Sequence, residues 1–258
     1  MIKAENISHA YNEDEPVLKN LSFDIQQGEK VVLLGTNGCG KTTLLKILNG
    51  LIIPARGHCY YKSTALTKNN LKDREFNTMF RKEVVLLFQN PESMIFNPTV
   101  YDEIAFSLRQ FGGDRIDDKV KYWAELAGVS RYLDRPPFHL SSGEKQKVCL
   151  ASLLVLEPKL LLMDEPTAKL DPRSTGWLVD FLQDLEVTTL VTTHNLSLAA
   201  ELGERTMVLS EQHELIYDGQ LKSLLTDQDK LIEANLLHVH SHKHDGMEHR
   251  HFHAHDWE

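Results

Sequence analysis

At 258 residues the chain can bury one sizeable core with a small satellite lobe. Its hydrophobic content of 41 % and charged content of 25 % are ordinary for a globular protein, and a formal charge of −9 argues against a general nucleic-acid surface. Cys39, Cys59 and Cys149 are odd in number and lack metal or redox spacing, which argues against a disulfide framework.

Read in chain order, Ile2–Ile7 and Val17–Ile25 alternate like strands and close on the turn Gln26-Gln27-Gly28. The apolar run Val31–Leu34 then leads into GTNGCGKTT at Gly35–Thr43, followed by the helical spacing of Leu44, Leu45, Ile47 and Leu48. This fits Gly-x4-Gly-Lys-Ser/Thr in the strand–loop–helix setting that its chemistry requires. Backbone N–H groups of Gly35, Thr36, Asn37, Gly38, Cys39, Gly40, Lys41, Thr42 and Thr43 can surround an anion at a helix N-terminus. Lys41 is expected at the β- and γ-phosphates and the Thr42 hydroxyl at Mg²⁺, so the loop points to a nucleoside triphosphate.

Residues 57–63 read as a strand and 67–81 as a polar connection. Val84–Phe88 is a short apolar run ending at Gln89. Beyond it, Met94, Ile95, Phe96, Val100 and Tyr101 are candidates either for a partner groove or for local packing. Asp117–Ala127 and Gly143–Leu156 have helical spacing, the first ending at Gly128. Leu160–Met163 reads as a buried parallel strand, which would place Asp164 and Glu165 at its C-terminal edge. Asp171-Pro172 opens a helix, Thr189–Thr193 is a further strand before His194, and Met207–Ser210 with Glu214–Tyr217 form a hairpin.

Leu140-Ser141-Ser142-Gly143-Glu144, followed a helix length later by LLLMDEPT at Leu160–Thr167, resembles the ATP-binding cassette (ABC) ATPases. Their signature is Leu-Ser-Gly-Gly-Gln, and the chain departs from it at Ser142 and Glu144. The resemblance implies an α/β fold: a P-loop (RecA-like) ATPase core with an antiparallel β subdomain and a helical signature subdomain. It places the ATPase domain at 1–228, with the helical part at about 90–158. It further implies that Tyr11 stacks on adenine, and that Thr42, Gln89 and Asp164 serve Mg²⁺. Glu165 would polarise the attacking water and His194 would bond the γ-phosphate. Ser141, Ser142, Gly143 and Glu144 would face ATP held by a second copy, with Asp171 in the loop that crosses to it. Lys169 stands where the family usually has a small residue.

Phe88-Gln89-Asn90-Pro91-Glu92 and Asn97-Pro98-Thr99-Val100 resemble the ATPases of energy-coupling-factor importers, which carry vitamins or transition-metal ions. The expected partners are a second ATPase subunit, in a homodimer, and integral membrane transporter subunits, with no nucleic acid. No apolar stretch approaches the ~18 residues that would cross a bilayer, and MIKAENISHAY lacks a secretory core. The expected place is therefore peripheral, on the cytoplasmic face of the membrane.

The tail, 229–258, favours metal as cargo. It holds His238, His240, His242, His244, His249, His251, His253 and His255, eight of thirteen histidines in alternating order. Imidazole suits Ni²⁺ and Co²⁺. A soluble ABC ATPase of metal-cofactor assembly and a vitamin importer stay open at this stage. The span between phosphate loop and signature has no sustained heptads, which disfavours repair ATPases.

Overall fold

The computed structural model describes residues 1–12, 15–244 and 247–254, with everything beyond Leu236 described as backbone. The chain forms two compact units, Met1–Leu66 together with the chain from Leu190 onward, and Thr67–Thr189.

The first unit opens with β1 (Ile2–Asn12) and β2 (Glu15–Ile25), paired antiparallel with Ile2 opposite Ile25 and Ala4 opposite Phe23. Both strands run longer than their alternation suggested. Asn6 and Asn20 adopt left-handed backbone at φ 50° and 51°, and the pairing shifts register beyond Ala4. Asparagine tolerates that conformation, and bulges of this kind let pairing continue past a break in the pattern. Ser22 Oγ accepts from Asn6 N–H and Ser8 Oγ from Asn20 N–H, both at 2.9 Å, which fixes the irregular segment.

β3 (Lys30–Leu34) is buried from Val31 to Leu34 and leads into α1 (Lys41–Leu48). β4 (Arg56–Tyr61) pairs with β1, and β5 (Thr64–Ala65) pairs with β4, giving the order β2-β1-β4-β5.

The second unit starts with a helix where a connection was expected, α2 (Arg74–Glu83). Asp73 caps it by accepting from Phe76 N–H at 2.8 Å, and Phe76, Met79 and Phe80 give it a short apolar face of which Phe80 alone is fully buried. β6 (Val84–Leu87) follows. Next come α3 (Val100–Gln110), α4 (Ile116–Leu126) and α5 (Ser142–Leu154), which enclose a core built around Val100, Ile104, Val120, Ala124, Val148 and Ala151. β7 (Leu160–Met163) is fully buried and runs parallel to β6, with Val84 opposite Leu160 and Leu87 opposite Met163. α6 (Pro172–Asp184) is capped by Asp171, and β8 (Thr188–Thr193) carries the chain back to the first unit.

There α7 (Leu196–Leu202) precedes β9 (Arg205–Leu209), which lies parallel to β3 and antiparallel to β10 (Leu215–Gln220). Arg205 ties this edge together: its guanidinium donates to both carboxylate oxygens of Asp218 at 2.7 Å, to Glu29 at 3.0 Å and to Asp24 O at 2.8 Å. The bidentate pairing matches the planar fork of arginine.

α8 (Leu221–Leu225) and α9 (Gln228–Glu233) finish the packed part. Leu231, Ala234 and Leu236 are buried, so packing extends to Leu236. β11 (Leu237–His244) and β12 (Met247–Ala254) then form an antiparallel hairpin. His255 lies outside the described residues.

Candidate nucleotide site

In the first unit the loop between β3 and α1 curls around a lysine. Lys41 is the first residue of α1 and is buried. Its Nζ donates to Gly35 O at 2.6 Å and Thr36 O at 3.0 Å, so the ammonium sits inside the loop. Glycine is required at position 40, where φ is 115° and an added Cβ would lie 2.4 Å from Val17 O. Gly40 caps α1 without a side-chain hydrogen bond, the arrangement in which a helix start takes up an anion. Thr36 Oγ1 is buried with no hydrogen-bond partner among the described residues, and Thr42 is exposed beside the loop. Asn37 and Gly38 are exposed and Cys39 is buried, so this donor set fits phosphate oxygens.

Two further groups reach this loop. Tyr11 OH lies 3.2 Å from Thr43 Oγ1, while the residue stays 58 % exposed, with His9 edge-on to its ring at 5.1 Å. His213 Nδ1 donates to Cys39 O at 3.0 Å and holds the loop backbone. No motif marks His213, because its partner is distant in sequence and offers only a main-chain carbonyl. His194 is half-buried just after β8, followed by Asn195, which caps α7.

In the second unit the parallel strands β6 and β7 end side by side, with Asp164 N–H donating to Leu87 O at 2.9 Å. Gln89 is exposed just beyond β6, and Asp164 and Glu165 are buried just beyond β7. All three therefore stand at the C-terminal edge, where such sheets bind ligands. Glu165 adopts φ 44°, a left-handed conformation that costs a non-glycine residue roughly 1–2 kcal/mol. Strain of this kind concentrates at functional positions.

The signature segment forms the start of α5. Ser141 caps it through a capping box with Glu144, whose Oε2 accepts from Ser141 N–H at 2.9 Å and Ser141 Oγ at 2.8 Å. Tyr132 OH donates to the other oxygen, Oε1 of Glu144. That hydrogen bond is the main reason the Glu144 carboxyl titrates below its ordinary value, with the Ser141 bonds adding to it and partial burial opposing. The departure from the family glutamine therefore has a structural role.

Gly143 is packed so closely that an added Cβ would lie 2.5 Å from Ser174 Oγ. Ser174 Oγ in turn donates to Asp171 Oδ2 at 2.6 Å, and Asp171 Oδ1 accepts from the backbone N–H of Arg173 and Ser174 at 3.0 Å. These bonds, Ser174 Oγ first, hold the Asp171 carboxyl below its ordinary value. Asp171, Ser174 and Gly143 thus join the starts of α6 and α5. Gln146, which closes the stretch Leu140–Gln146, is buried and donates to Pro166 O at 3.2 Å. Glu92 pairs with Lys145 at 2.7 Å. A cleft of about 150 Å³ between these elements is lined by Gln89, Glu92, Ser142, Lys145, Gln146 and Lys169.

A larger groove, about 580 Å³, opens beside it among Ile95, Phe96, Asn97, Pro98 and Phe138. Phe96 is 65 % and Phe138 62 % exposed. Buried Glu103 holds the groove wall by accepting from Phe96 N–H at 3.0 Å and Asn97 N–H at 2.8 Å. Of the aromatic and aliphatic candidates, Ile95 and Phe96 line the groove. Val100 is fully buried in the helical core and Tyr101 packs on it, so these two serve local packing. Met94 Sδ accepts from Phe88 N–H at 3.4 Å.

The ABC transporter family profile matches residues 18–168. The chain belongs to that family: it is an ATPase with the α/β P-loop fold, an antiparallel β subdomain and a helical part. The energy-coupling factor transporter ATP-binding protein EcfA1 of Methanospirillum hungatei is 34 % identical, covering 92 % of this chain and 85 % of its own. Among solved structures, cbiO1 of Clostridium perfringens, part of the ABC transporter complex cbiONQ, aligns at TM-score 0.76 and 28 % identity. That match covers 91 % of this chain and 94 % of cbiO1. The dimeric, post-hydrolysis ATP-binding cassette MJ0796, bound to ADP and Pi, also aligns at 0.76, with 27 % identity over 86 % and 99 %.

Proposed function

We propose that this chain is the ATP-hydrolysing motor of an energy-coupling-factor importer that carries nickel or cobalt ions. It would sit on the cytoplasmic face of the membrane as a head-to-tail homodimer. In this reading Tyr11 stacks on adenine, the loop Gly35–Thr43 holds the phosphates, and Lys41 neutralises charge at the β- and γ-positions. Thr42, Gln89 and Asp164 hold Mg²⁺, which when bound neutralises charge on the β- and γ-phosphate oxygens. Glu165 accepts the proton of the attacking water, while His194 bonds the γ-phosphate. Ser141, Ser142, Gly143 and Glu144, at the capped start of α5, face the nucleotide held by the second copy. Asp171 lies in the loop crossing to it.

The observation that carries the membrane-coupled reading is the apolar groove at Ile95, Phe96, Pro98 and Phe138, which offers exposed aromatic surface to a partner helix. The importer type follows the kinship with EcfA1 and cbiO1. Affinity capture of the full-length chain from native membranes should retain small hydrophobic membrane subunits. Phe96→Asp with Phe138→Asp should lose them while keeping basal ATP hydrolysis. Retention by the double variant would contradict the groove's role, and capture of the wild-type chain alone would contradict membrane coupling.

Metal as cargo rests on the tail, whose histidines suit Ni²⁺ and Co²⁺. Because Leu236 is buried, truncation after Leu236 should spare the fold and basal hydrolysis while removing metal binding. Neutral imidazole is the ligand, so binding by the full chain should fade as pH falls below about 6.5. Equal stoichiometry in calorimetric titrations of full-length and truncated protein would remove the tail's metal role.

A further inference from the structure

The hairpin's register carries an inference beyond its composition. We propose that β11 and β12 form a register-dependent clamp, taking Ni²⁺, Co²⁺ or a similar imidazole-preferring divalent ion across the two strands. The proposal rests on the tail being a metal-binding segment and specifies how that segment binds.

Pairing sets His238 opposite His253, His240 opposite His251 and His242 opposite His249, with His244 opposite Met247. Residues directly opposed in an antiparallel pair share a face, as do alternate residues along one strand. Seven histidines therefore fall on a single face. The other face receives Leu237, Val239, Ser241 and Lys243 opposite Ala254, Phe252, Arg250 and Glu248. Neither strand alone produces this segregation, since alternation in each must be in phase with the other. A shift of one residue would divide the histidines between the faces.

Spacing favours ligation across the strands. Opposed residues stand about 4.5–5.5 Å apart at Cβ, whereas alternate residues on one strand stand about 6.6 Å apart. His240, His242, His249 and His251 thus occupy a two-by-two block of neighbouring register positions, and histidine is a residue that suits borderline divalent ions. Elsewhere, among the residues whose side chains are described, no group of three or more His, Cys, Asp or Glu is gathered to hold a metal ion.

An isolated two-stranded hairpin is marginally stable in water. An ion bridging both strands binds the paired state and not the open one, so it stabilises the pairing. Metal uptake and hairpin closure are then one event.

The test preserves composition, length and charge in the full-length chain. In the first variant the histidines of β12 move to the opposite face by exchanging neighbours: Glu248→His, His249→Glu, Arg250→His, His251→Arg, Phe252→His and His253→Phe. In the second, β11 is exchanged as well, with Leu237→His, His238→Leu, Val239→His, His240→Val, Ser241→His and His242→Ser, which returns the moved histidines to a common face. Calorimetric titration with Ni²⁺ and Co²⁺ is the readout, with protein truncated after Leu236 as baseline. Affinity should fall about 10- to 100-fold in the first variant, the range typical for lost ligand support, and recover in the second. Wild-type affinity in the first variant, or no recovery in the second, would overturn the clamp and leave a composition-driven metal tail standing. Equal binding by full-length and truncated protein would overturn both.

Discussion

Replacing Glu165 by Gln is expected to leave a protein that binds ATP, closes into a dimer and nearly ceases to turn over. Glu165 is buried directly after β7, beside Asp164, in a strained left-handed conformation. Gln has nearly the same shape and keeps one accepting oxygen, while the other becomes a donating NH2. It loses the negative charge that accepts a proton from water. Removing a general base typically lowers rate by ~10²–10⁴, and each tenfold corresponds to about 1.4 kcal/mol of barrier. Steady-state phosphate release reads the loss, and size-exclusion chromatography with ATP reads the trapped dimer. Turnover above about a tenth of wild type would remove Glu165 from the role, since that exceeds what loss of a general base leaves.

Lys41→Ala should abolish hydrolysis and weaken binding of a non-hydrolysable ATP analogue. The ammonium donates to Gly35 O and Thr36 O from a buried position, so it both charges the loop and braces it. A charge-assisted hydrogen bond contributes about 1.5–3 kcal/mol, so affinity should drop roughly 10- to 150-fold. Thermal unfolding without nucleotide separates the two effects. A bracing role lowers the melting temperature with or without ligand, whereas charge loss appears in the calorimetric titration. Unchanged affinity together with unchanged turnover would rule the assignment out.

Much of the fold was readable because its signals are local. The apolar run before Gly35, the helical spacing after Thr43 and the buried run before Asp164 each declare an element within a few residues. What stayed hidden depends on distant partners or on packing. α2 has Phe76, Met79 and Phe80 at helical spacing, but in a segment so polar that it reads as a connection, and only Phe80 is buried. β1 outruns its alternation because Asn6 and Asn20 absorb bulges. Val100 and Phe96 look alike in sequence, yet one enters the helical core and the other stays exposed, a choice made by the turn that Glu103 holds. Phe138 belongs to the same groove from far along the chain.

Around the candidate site, the motif residues could be read and their supports could not. His213 braces the phosphate loop through a main-chain carbonyl, a contact that leaves no pattern of residue types. Glu144 was visible only as a departure from a signature. The capping box and the Tyr132 hydrogen bond give that departure a physical reason. The tail shows the reverse case. Its alternating histidines are plain in sequence, whereas their common phase across two strands emerges only with the pairing.

The most direct test of the motor reading is ATP-driven transport by the native membrane complex, retrieved through this chain and reconstituted in sealed vesicles preloaded with nickel or cobalt. The chain should face outward with ATP and Mg²⁺ in the bath, and the interior volume should be assayed for loss of nickel and cobalt. A water-soluble vitamin is assayed in parallel. An importer whose motor faces the bath should move nickel or cobalt from the vesicle interior to the ATP side. The same complex carrying Glu165→Gln should show almost no transport. Vitamin transport without metal transport, or metal movement equal in the wild type and Glu165→Gln, would contradict the account.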